Sequence, residues 1–441
     1  MPNLARISYY LFNAIKRLKW EREKLEKYKV KRLRSVVKYA YGKVPFYHKL
    51  FRASGIHPED IKRIQDLNRL PIVRKKVMRQ HDVNDLISKD FTLRKLKRLT
   101  TGGSTGEPFS IYICGREDDW RKAIYLRANI SCGQRPRDRW VALDVAERAV
   151  ETTFLNRIFG IFAREIVPVT WDKFSQIQAL VKLKPDVLDG LSSALRLLAR
   201  EVEARNIISI RPRIIFGTGD LIDKASRNYL EKVFHAPFYD QFGCAEVDRT
   251  AWQCPEKTGY HIDEDSVIMQ FVDKDGEEVA PGERGEIVYT SLFNYAMPLI
   301  RYGVMDVGVP MDEECPCGNK LSLMKVIEGR SNSFLVFPGG HIVPPMSFIE
   351  ILKAFELTEE IDQYRVFQKS ENHVEIFVKK LREDVDEDKI RGQLLANIFE
   401  GLPKIEKVDP SSITFEVKFV DDFPMLGRGK LNVIISQVSA F

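Results

Sequence analysis

The spacing of apolar residues divides the chain into stretches of different periodicity. In residues 4–55, apolar side chains recur at helical spacing among basic ones, as at Leu33, Val36, Val37 and Ala40, which predicts helices. Residues 115–310 alternate short apolar runs with amphipathic segments. This pattern predicts strands at 140–143, 185–189 and 213–216 and helices at 172–181, 192–204 and 223–233. Strands separated by helices indicate α/β layering around parallel strands.

Two later stretches follow different patterns. Runs at 267–272 and 285–290, separated by the turn-rich segment 273–282, predict antiparallel strands. A smaller unit begins after Gly329-Arg330, with strands near 363–368, 374–379 and 414–420 and a helix at 386–399. We therefore predict an α/β protein. It has a large N-terminal domain of layered parallel and mixed sheets and helices with an antiparallel subdomain, and a small α+β C-terminal domain.

Charge is concentrated at the start of the chain. The 441 residues carry a net charge of +7, and residues 1–100 contain 27 Lys and Arg against 9 Asp and Glu. Such asymmetry fits a nucleic-acid or membrane-surface partner, or a solvated helical surface. Without a nucleic-acid reader motif, we predict no specific nucleic-acid binding. The apolar run 7–12, followed by Lys16, Arg17 and Lys19, is compatible with peripheral contact with anionic lipid. The oligomeric state stays open.

The cysteines and the N-terminal sequence indicate a compartment. Residues 1–50 contain no apolar run long enough for a secretory signal or a membrane span. Six cysteines in a chain of this length do not suggest a disulfide framework. They favour a reducing compartment, with a metal where cysteines cluster. We therefore predict a cytoplasmic protein.

The segment from Thr100 to Pro108 is rich in glycine and hydroxyl residues. Backbone N–H groups and hydroxyls suit phosphate oxygens, and glycine lets the backbone approach a ligand closely. The segment is not a Walker loop, because no Gly-Lys-[Ser/Thr] leads into a helix. An alternating strand-like run, 109–113, follows instead. The competing interpretation is a flexible turn between strands. The phosphate-binding candidates are Thr101, Gly102, Gly103, Ser104, Thr105 and Gly106.

Four further motifs follow in order. They are Gly217-Thr218-Gly219-Asp220, the run from Asp240 to Glu246, the run 299–308 that contains Asp306, and Gly427-Arg428-Gly429-Lys430. The first two are predicted at carboxyl ends of strands, where α/β sheets bind ligands. In this order the series resembles the AMP-forming ligase superfamily and, within it, the phenylacetate–CoA ligase and CapK group. The runs 183–190 and 290–302 are similar to that group's own, so the likeness covers nearly the whole chain.

The resemblance implies a set of nucleotide contacts. Thr101 to Gly106 would cradle the ATP phosphates, and Gly217, Thr218, Gly219 and Asp220 would line the adenine pocket. Phe242 would pack on adenine, within a motif that also includes Asp240 and Gly243. Glu246 would help to hold Mg²⁺, Asp306 would bind the ribose, and Lys430 would swing in to stabilise adenylation. Arg330 would stand at the hinge between the two domains and contribute to the nucleotide site.

The resemblance also implies an activity and a division of the chain. A carboxylic acid substrate would be activated as an acyl-AMP with release of pyrophosphate. The acyl group would then pass to CoA or to an amine or hydroxyl acceptor. Residues 1–98 would be the basic helical part of the large domain and 99–329 its nucleotide-binding core. Residues 330–441 would be the small, mobile domain that carries the catalytic lysine, Lys430.

The chemistry of these residues agrees with the implied roles. Attack on the α-phosphate accumulates negative charge, which a metal and a cation stabilise. Each residue also has a plainer interpretation. Glu246 could be a surface acid after a turn, Asp306 a turn residue, and Lys430 a solvated loop lysine.

Some positions depart from the family pattern. Ser331-Asn332-Ser333 replaces the usual acidic run. Gly303 stands near the position where the family usually has Arg, and Met305 near the position where it usually has Gly or Arg. The run 337–344 looks more like CapK than like phenylacetate–CoA ligases. These departures leave an alternative open: a non-catalytic, nucleotide-binding, membrane-peripheral protein.

A second chemical signal is a possible zinc set. Cys254 and His261 lie seven residues apart, and Cys315 and Cys317 form a close pair. Three thiolates and an imidazole are a set of ligands typical of structural, tetrahedral zinc. Members of the resembling group carry such a zinc, which would pin the loop 254–261 to the turn 315–317. Unrelated reduced cysteines and a histidine are the alternative.

Overall fold

The computed structural model describes residues 2–100, 109–145, 160–219, 222–330, 333–354, 360–423 and 433–438, with the backbone alone at 326–330 and 406. The chain forms two compact units. The first comprises Met1–Asp220, Tyr229–Val304 and Gly308–Val326, and the second comprises Leu221–Asn228, Met305–Val307 and Ile327–Phe441.

The α-helices and strands of the described residues are numbered here in chain order. The helices are α1 Leu4–Arg17, α2 Arg22–Lys43, α3 Pro45–Ala53, α4 Lys75–Arg79, α5 Val83–Leu86, α6 Gly115–Ser131, α7 Lys173–Leu183, α8 Ser192–Ala204, α9 Lys224–Phe234, α10 Pro345–Leu352 and α11 Glu387–Glu406. Strands β1–β10 are Val73–Arg74, Lys97–Thr100, Ser110–Ile113, Trp140–Asp144, Arg164–Pro168, Val187–Leu191, Ile214–Thr218, Phe238–Cys244, Asp248–Gln253 and Tyr260–Ile262. Strands β11–β20 are Val267–Val272, Gly285–Ser291, Tyr302–Met311, Leu323–Arg330, Leu335–Phe337, His341–Val343, Ile361–Ser370, His373–Lys380, Thr414–Phe419 and Ile434–Ser436.

A 12-stranded mixed sheet organises the larger unit. Its order is β11-β12-β13-β14-β10-β9-β8-β7-β6-β4-β5, and β1 pairs with β13. Strands β4 to β8 pair in parallel, whereas β8 with β9, β9 with β10, and β11 with β12 pair antiparallel. The parallel strands read as continuous apolar runs because helices cover parallel sheets on both faces. The predicted α/β class, with its antiparallel part, is confirmed.

The N-terminal helices are built into this unit. On α2, Leu33, Val36, Val37 and Ala40 are fully buried, as their helical spacing predicts. On α1, the Arg17 guanidinium lies 2.5 Å from Asp265 Oδ2. No helix of the described residues is both long and apolar enough to cross a bilayer.

The second unit has its own core around a four-stranded sheet, β19-β18-β17-β20. Strands β17 and β18 are antiparallel, while β19 and β20 add in parallel at the two edges. Helix α11 runs past the predicted end at 399 to Glu406, because Ile398 and Leu402 continue its buried face. The α+β character predicted for this part of the chain is confirmed.

Candidate functional site

The predicted phosphate loop joins two paired strands. Strands β2 and β3 are antiparallel, and Thr100 stands opposite Ser110 at their ends. The connecting residues 101–108, which include the candidates Thr101 to Gly106, lie outside the described residues. So do Asp220 and Lys430, and the Arg330 side chain is likewise not described.

The adenine-pocket motif lies at the end of β7. Gly217 and Thr218 are its last residues, and Gly219 follows with φ +83°. A Cβ on Gly217 would lie 2.0 Å from the Phe238 ring and 2.8 Å from Ser192 Oγ. Position 217 therefore admits only glycine without local rearrangement, which keeps the carboxyl end of β7 free of side-chain bulk.

Strand β8 extends beyond β7, and the Asp240–Glu246 motif spans the carboxyl end of β8, as predicted. The β7–β8 pairing ends at Thr218 and Gln241, but β9 pairs with β8 as far as Cys244. The half-buried Phe242 therefore lies past the end of its parallel neighbour. A Cβ on Gly243 would lie 2.2 Å from the Asp248 carbonyl oxygen, so the bulge between residues 242 and 243 requires glycine.

Asp240 is held within the sheet. Its Oδ2 accepts a hydrogen bond from the Tyr260 hydroxyl at 2.6 Å, and its Oδ1 accepts one from the Gln241 N–H at 3.1 Å. The carboxylate is buried. These contacts tie β8 to β10 and support the strand that carries Phe242.

Glu246 lies in the turn after β8 and is buried, with 4% of its surface exposed. Arg121 on α6 fixes this turn by donating to the backbone carbonyl of Glu246 at 2.6 Å. The Lys75 ammonium lies 3.1 Å from Glu246 Oε1, and the Tyr302 hydroxyl donates to the same oxygen at 3.3 Å. Burial and the Glu246 carboxylate raise the pKa of Tyr302, so its hydroxyl remains a donor. The interpretation of Glu246 as an exposed surface acid is therefore excluded.

Lys75 is a further residue of this site, beyond those that the motifs predict. It begins the five-residue helix α4, directly after β1. Strand β1 pairs in parallel with β13, with Val73 opposite Tyr302 and Arg74 opposite Gly303. Lys75 follows this pair, and its ammonium contacts the same Glu246 oxygen as the Tyr302 hydroxyl. No local sequence signal marks this lysine, since its partner Glu246 is far away along the chain.

The same strand pairing explains the departure at Gly303. Arg74 forms a bidentate ion pair with Glu286, in which Nη2 donates to Oε2 at 2.8 Å. A Cβ on Gly303 would lie 2.7 Å from Arg74 Nη1. Glycine at 303 therefore makes room for a guanidinium from β1. Asp306 lies in the middle of β13, the strand of Gly303, and is 8% exposed. Its position within a strand excludes its interpretation as a turn residue.

The four predicted zinc ligands come together in the larger unit. All four ligand atoms of Cys254, His261, Cys315 and Cys317 lie within 4.8 Å of one another. The two sulfurs of Cys254 and Cys315 are 3.5 Å apart, and Cys317 Sγ is 3.3 Å from His261 Nε2. Ligands of a tetrahedral zinc, with Zn–S near 2.3 Å and Zn–N near 2.0 Å, are separated by roughly 3.5–3.8 Å. The set therefore has the chemistry and the spacing of a structural zinc site.

The surroundings of this cluster suit metal ligation. Burial lowers the pKa of His261 to about 4, so the imidazole is neutral at pH 7 and keeps a lone pair for a metal. Its Nδ1 lies 3.4 Å from the Leu321 carbonyl, which orients Nε2 toward the sulfurs. Burial raises the pKa of Cys254 to about 12, so this thiol stays protonated unless a cation binds.

Comparison with known proteins gives three informative relatives, although no family model matches the chain. A phenylacetate–coenzyme A ligase of Thermus thermophilus is 26% identical over 73% of this chain and 74% of its own length. The CapK protein of Staphylococcus aureus is 22% identical over 98% of this chain and 94% of its own. A crystal structure of a 2-hydroxyisobutyryl-CoA ligase, in the postadenylation state with an acyl-AMP, superposes with a TM-score of 0.77 at 18% identity, covering 96% and 91% of the two chains.

These relatives confirm the resemblance that the motifs indicate. The chain is related to phenylacetate–CoA ligases and to CapK over most of its length. Its fold is that of a CoA ligase whose structure contains an acyl adenylate. The roles assigned to individual residues stay predictions.

Proposed function

We propose that this chain is an AMP-forming ligase. In a first step, a carboxylate oxygen of the acid substrate attacks the α-phosphorus of ATP, forming an acyl adenylate and releasing pyrophosphate. In a second step, CoA or an amine or hydroxyl acceptor takes the acyl group, and AMP leaves. The observation that carries the proposal is the buried Glu246 carboxylate, which contacts Lys75 and Tyr302 just after the carboxyl end of β8. The chain that presents this group is related to named CoA ligases.

Glu246 is the residue that we propose for Mg²⁺. Carboxylate oxygens are preferred ligands of this cation, and Mg²⁺ would neutralise the charge of the ATP phosphates. Lys75 already places an ammonium at the same carboxylate oxygen. We propose that Lys75 also contacts the phosphate oxygens of ATP, since a flexible lysine can remain close to Glu246 and reach a second anion.

The remaining nucleotide contacts are proposed from the order of the motifs. Thr101 to Gly106 would bind the phosphates, while Gly217, Thr218, Gly219 and Asp220 would border the adenine. Phe242 would pack on the adenine ring, with Asp240 and Gly243 supporting it, and Asp306 would accept hydrogen bonds from the ribose hydroxyls. Lys430 would bring a cation to the reacting phosphate, and Arg330 would adjoin the nucleotide.

We propose that Cys254, His261, Cys315 and Cys317 hold a structural zinc. A bound zinc would supply no reaction chemistry, because protein ligands would fill all four of its coordination positions. Its role would be to fix the segment 254–261 to the turn 315–317, next to the strands β9 and β10 that support β8. None of the six cysteines, all of which the structure describes, forms a disulfide, which supports a reducing compartment, so we propose a cytoplasmic location.

Carboxylate-dependent exchange between ATP and labelled pyrophosphate tests the first step. A panel of aliphatic, hydroxy and aromatic acids would identify the substrate class, and CoA consumption would then identify the acceptor. Tight ATP binding without exchange for any acid would instead favour a non-catalytic nucleotide-binding protein.

A further inference from the structure

Helix α1 has two apolar faces, of which one packs on α6 and the other is exposed. Ile7 and Ala14 are buried on the side that contacts α6, where Tyr10 meets Trp120 edge-on with ring centres 5.2 Å apart. On the opposite side, Tyr9 is 66% exposed and Phe12 is 58% exposed. A surface helix normally turns polar residues to this side, so two exposed aromatic residues there require a reason.

A basic residue accompanies this outer face. Residues 5, 9, 12 and 16 follow helical spacing and share one side of α1. The Lys16 ammonium lies 4.1 Å from the centre of the Phe12 ring. The cation therefore makes a cation–π contact with the ring. A basic residue beside exposed aromatic residues is typical of helices at membrane interfaces.

Helix α2 adds a row of cations. Its exposed side chains include Lys24, Lys27, Lys31, Arg34 and Lys38, spaced three and four residues apart and therefore on one face. Lys27 pairs with Glu23 at 2.6 Å. Within the described part of the chain, Lys31, Arg34 and Lys38 have no carboxylate within 4.0 Å. Like charges in one row repel each other, so the row gains from an anionic partner.

Both helices are fixed to the folded unit. Arg6 Nε of α1 lies 2.7 Å from Asp119, and the buried Lys29 of α2 lies 2.7 Å from Glu264. Four residues, 18–21, join the two helices. The aromatic face and the cationic row are therefore preformed and close together along the chain.

We propose that α1 and α2 dock the protein on the surface of a membrane containing anionic lipid. Tyr9 and Phe12 would enter the headgroup region, and the cationic row would pair with lipid phosphates. Charge complementarity argues for an anionic partner, and the exposed aromatic pair argues for one with an apolar interior. The phosphate backbone of a nucleic-acid duplex would use the cations but not the aromatic pair. This docking surface does not depend on the proposed ligase activity.

Co-sedimentation of the full chain with vesicles tests the proposal. Vesicles of equal parts phosphatidylcholine and phosphatidylglycerol should bind the protein at low salt, and pure phosphatidylcholine vesicles should bind it far less. The triple variant Lys31→Gln, Arg34→Gln, Lys38→Gln should weaken vesicle binding by about tenfold or more. A matched control, Lys182→Gln with Lys274→Gln and Lys407→Gln, removes three exposed cations elsewhere and should bind nearly as the unchanged protein does.

The aromatic face has its own test. Phe12→Ser should weaken vesicle binding several-fold, Phe12→Leu should preserve it, and Ile208→Ser, at a 75% exposed position elsewhere, should leave it unchanged. Circular dichroism of each variant would establish that it folds. Failure to bind anionic vesicles at low salt would overturn the proposal, as would equal binding by the Lys31, Arg34 and Lys38 variant. Salt-sensitive RNA binding through the same cations without vesicle binding would also overturn it.

Discussion

The Lys75 ammonium lies 3.1 Å from the buried carboxylate of Glu246, although the two residues belong to distant parts of the chain. Strand β1 makes this possible by pairing in parallel with β13, so that Lys75 and Tyr302 approach the same oxygen of Glu246. The Lys75 ammonium and the Glu246 carboxylate therefore lie together where we propose that Mg²⁺ and the ATP phosphates bind.

The first prediction concerns Lys75. We expect Lys75→Met to lower kcat/KM for ATP by about 10²-fold, since it removes a cation from the site of developing charge. Lys76→Met, at the exposed next position of α4, is the matched control and should retain near-full activity. Steady-state kinetics with varied ATP would measure both. Equal activities of the two variants would remove Lys75 from the account.

A second prediction concerns the glycine at 303. Gly303→Ala should destabilise the protein by about 1–3 kcal/mol, because its Cβ would lie 2.7 Å from Arg74 Nη1. Gly42→Ala, in the helix α2, should be neutral or stabilising, because its Cβ would point into open space. Urea unfolding would measure the free energies. If Arg74→Ala does not reduce the cost of Gly303→Ala, the guanidinium is not the group that requires glycine.

Much of the fold follows from local pattern, but the site depends on long-range pairing. The helix predicted at 192–204 matches α8 from end to end, because its apolar spacing and the preceding strand are both local signals. The Lys75–Glu246 contact depends on the β1–β13 pairing, which no periodicity encodes. Likewise, the extension of β8 past Gln241 depends on its antiparallel partner β9. The grouping of Cys254, His261, Cys315 and Cys317 could be predicted despite their separation along the chain, since metal ligation uses few residue types.

The zinc proposal predicts a metal-dependent stability. The purified protein should contain one zinc per chain by elemental analysis, and Cys315→Ser should lose it and unfold at a lower temperature. Cys114→Ser, which lies outside the cluster, should keep both the metal and the stability. Full zinc content in Cys315→Ser would refute the assignment.

Acid sensitivity is expected from the buried ion pairs of the N-terminal helices. Burial alone would raise the pKa of Glu264, but Lys29 and Arg22 outweigh it and hold that pKa below the usual 4.5. The stabilisation is therefore complete above the unfolded-state pKa and is lost as pH falls through the lower folded-state pKa. Unfolding free energies measured from pH 7 downward should show this loss.

A pair of lysine variants separates the buried from the exposed interaction. Lys29→Met leaves Arg22 as the remaining cation at the buried Glu264 and should cost at most about 3–5 kcal/mol at pH 7, with a smaller cost in acid. Lys27→Met breaks an exposed pair with Glu23 and should cost less than about 1 kcal/mol. Equal effects of the two variants at pH 7 would show that the Lys29–Glu264 pair does not anchor α2.

Pyrophosphate exchange tests the central claim most directly. With a suitable carboxylic acid, the protein should transfer label from pyrophosphate into ATP, and omission of the acid should abolish the transfer. Lys430→Ala should reduce exchange by about 10²-fold without preventing ATP binding, whereas Lys404→Ala, at an exposed position in the same unit, should not. Exchange that requires the acid and Lys430 is the predicted result. ATP binding with no exchange for any acid in the panel would contradict the assignment of this chain as an AMP-forming ligase.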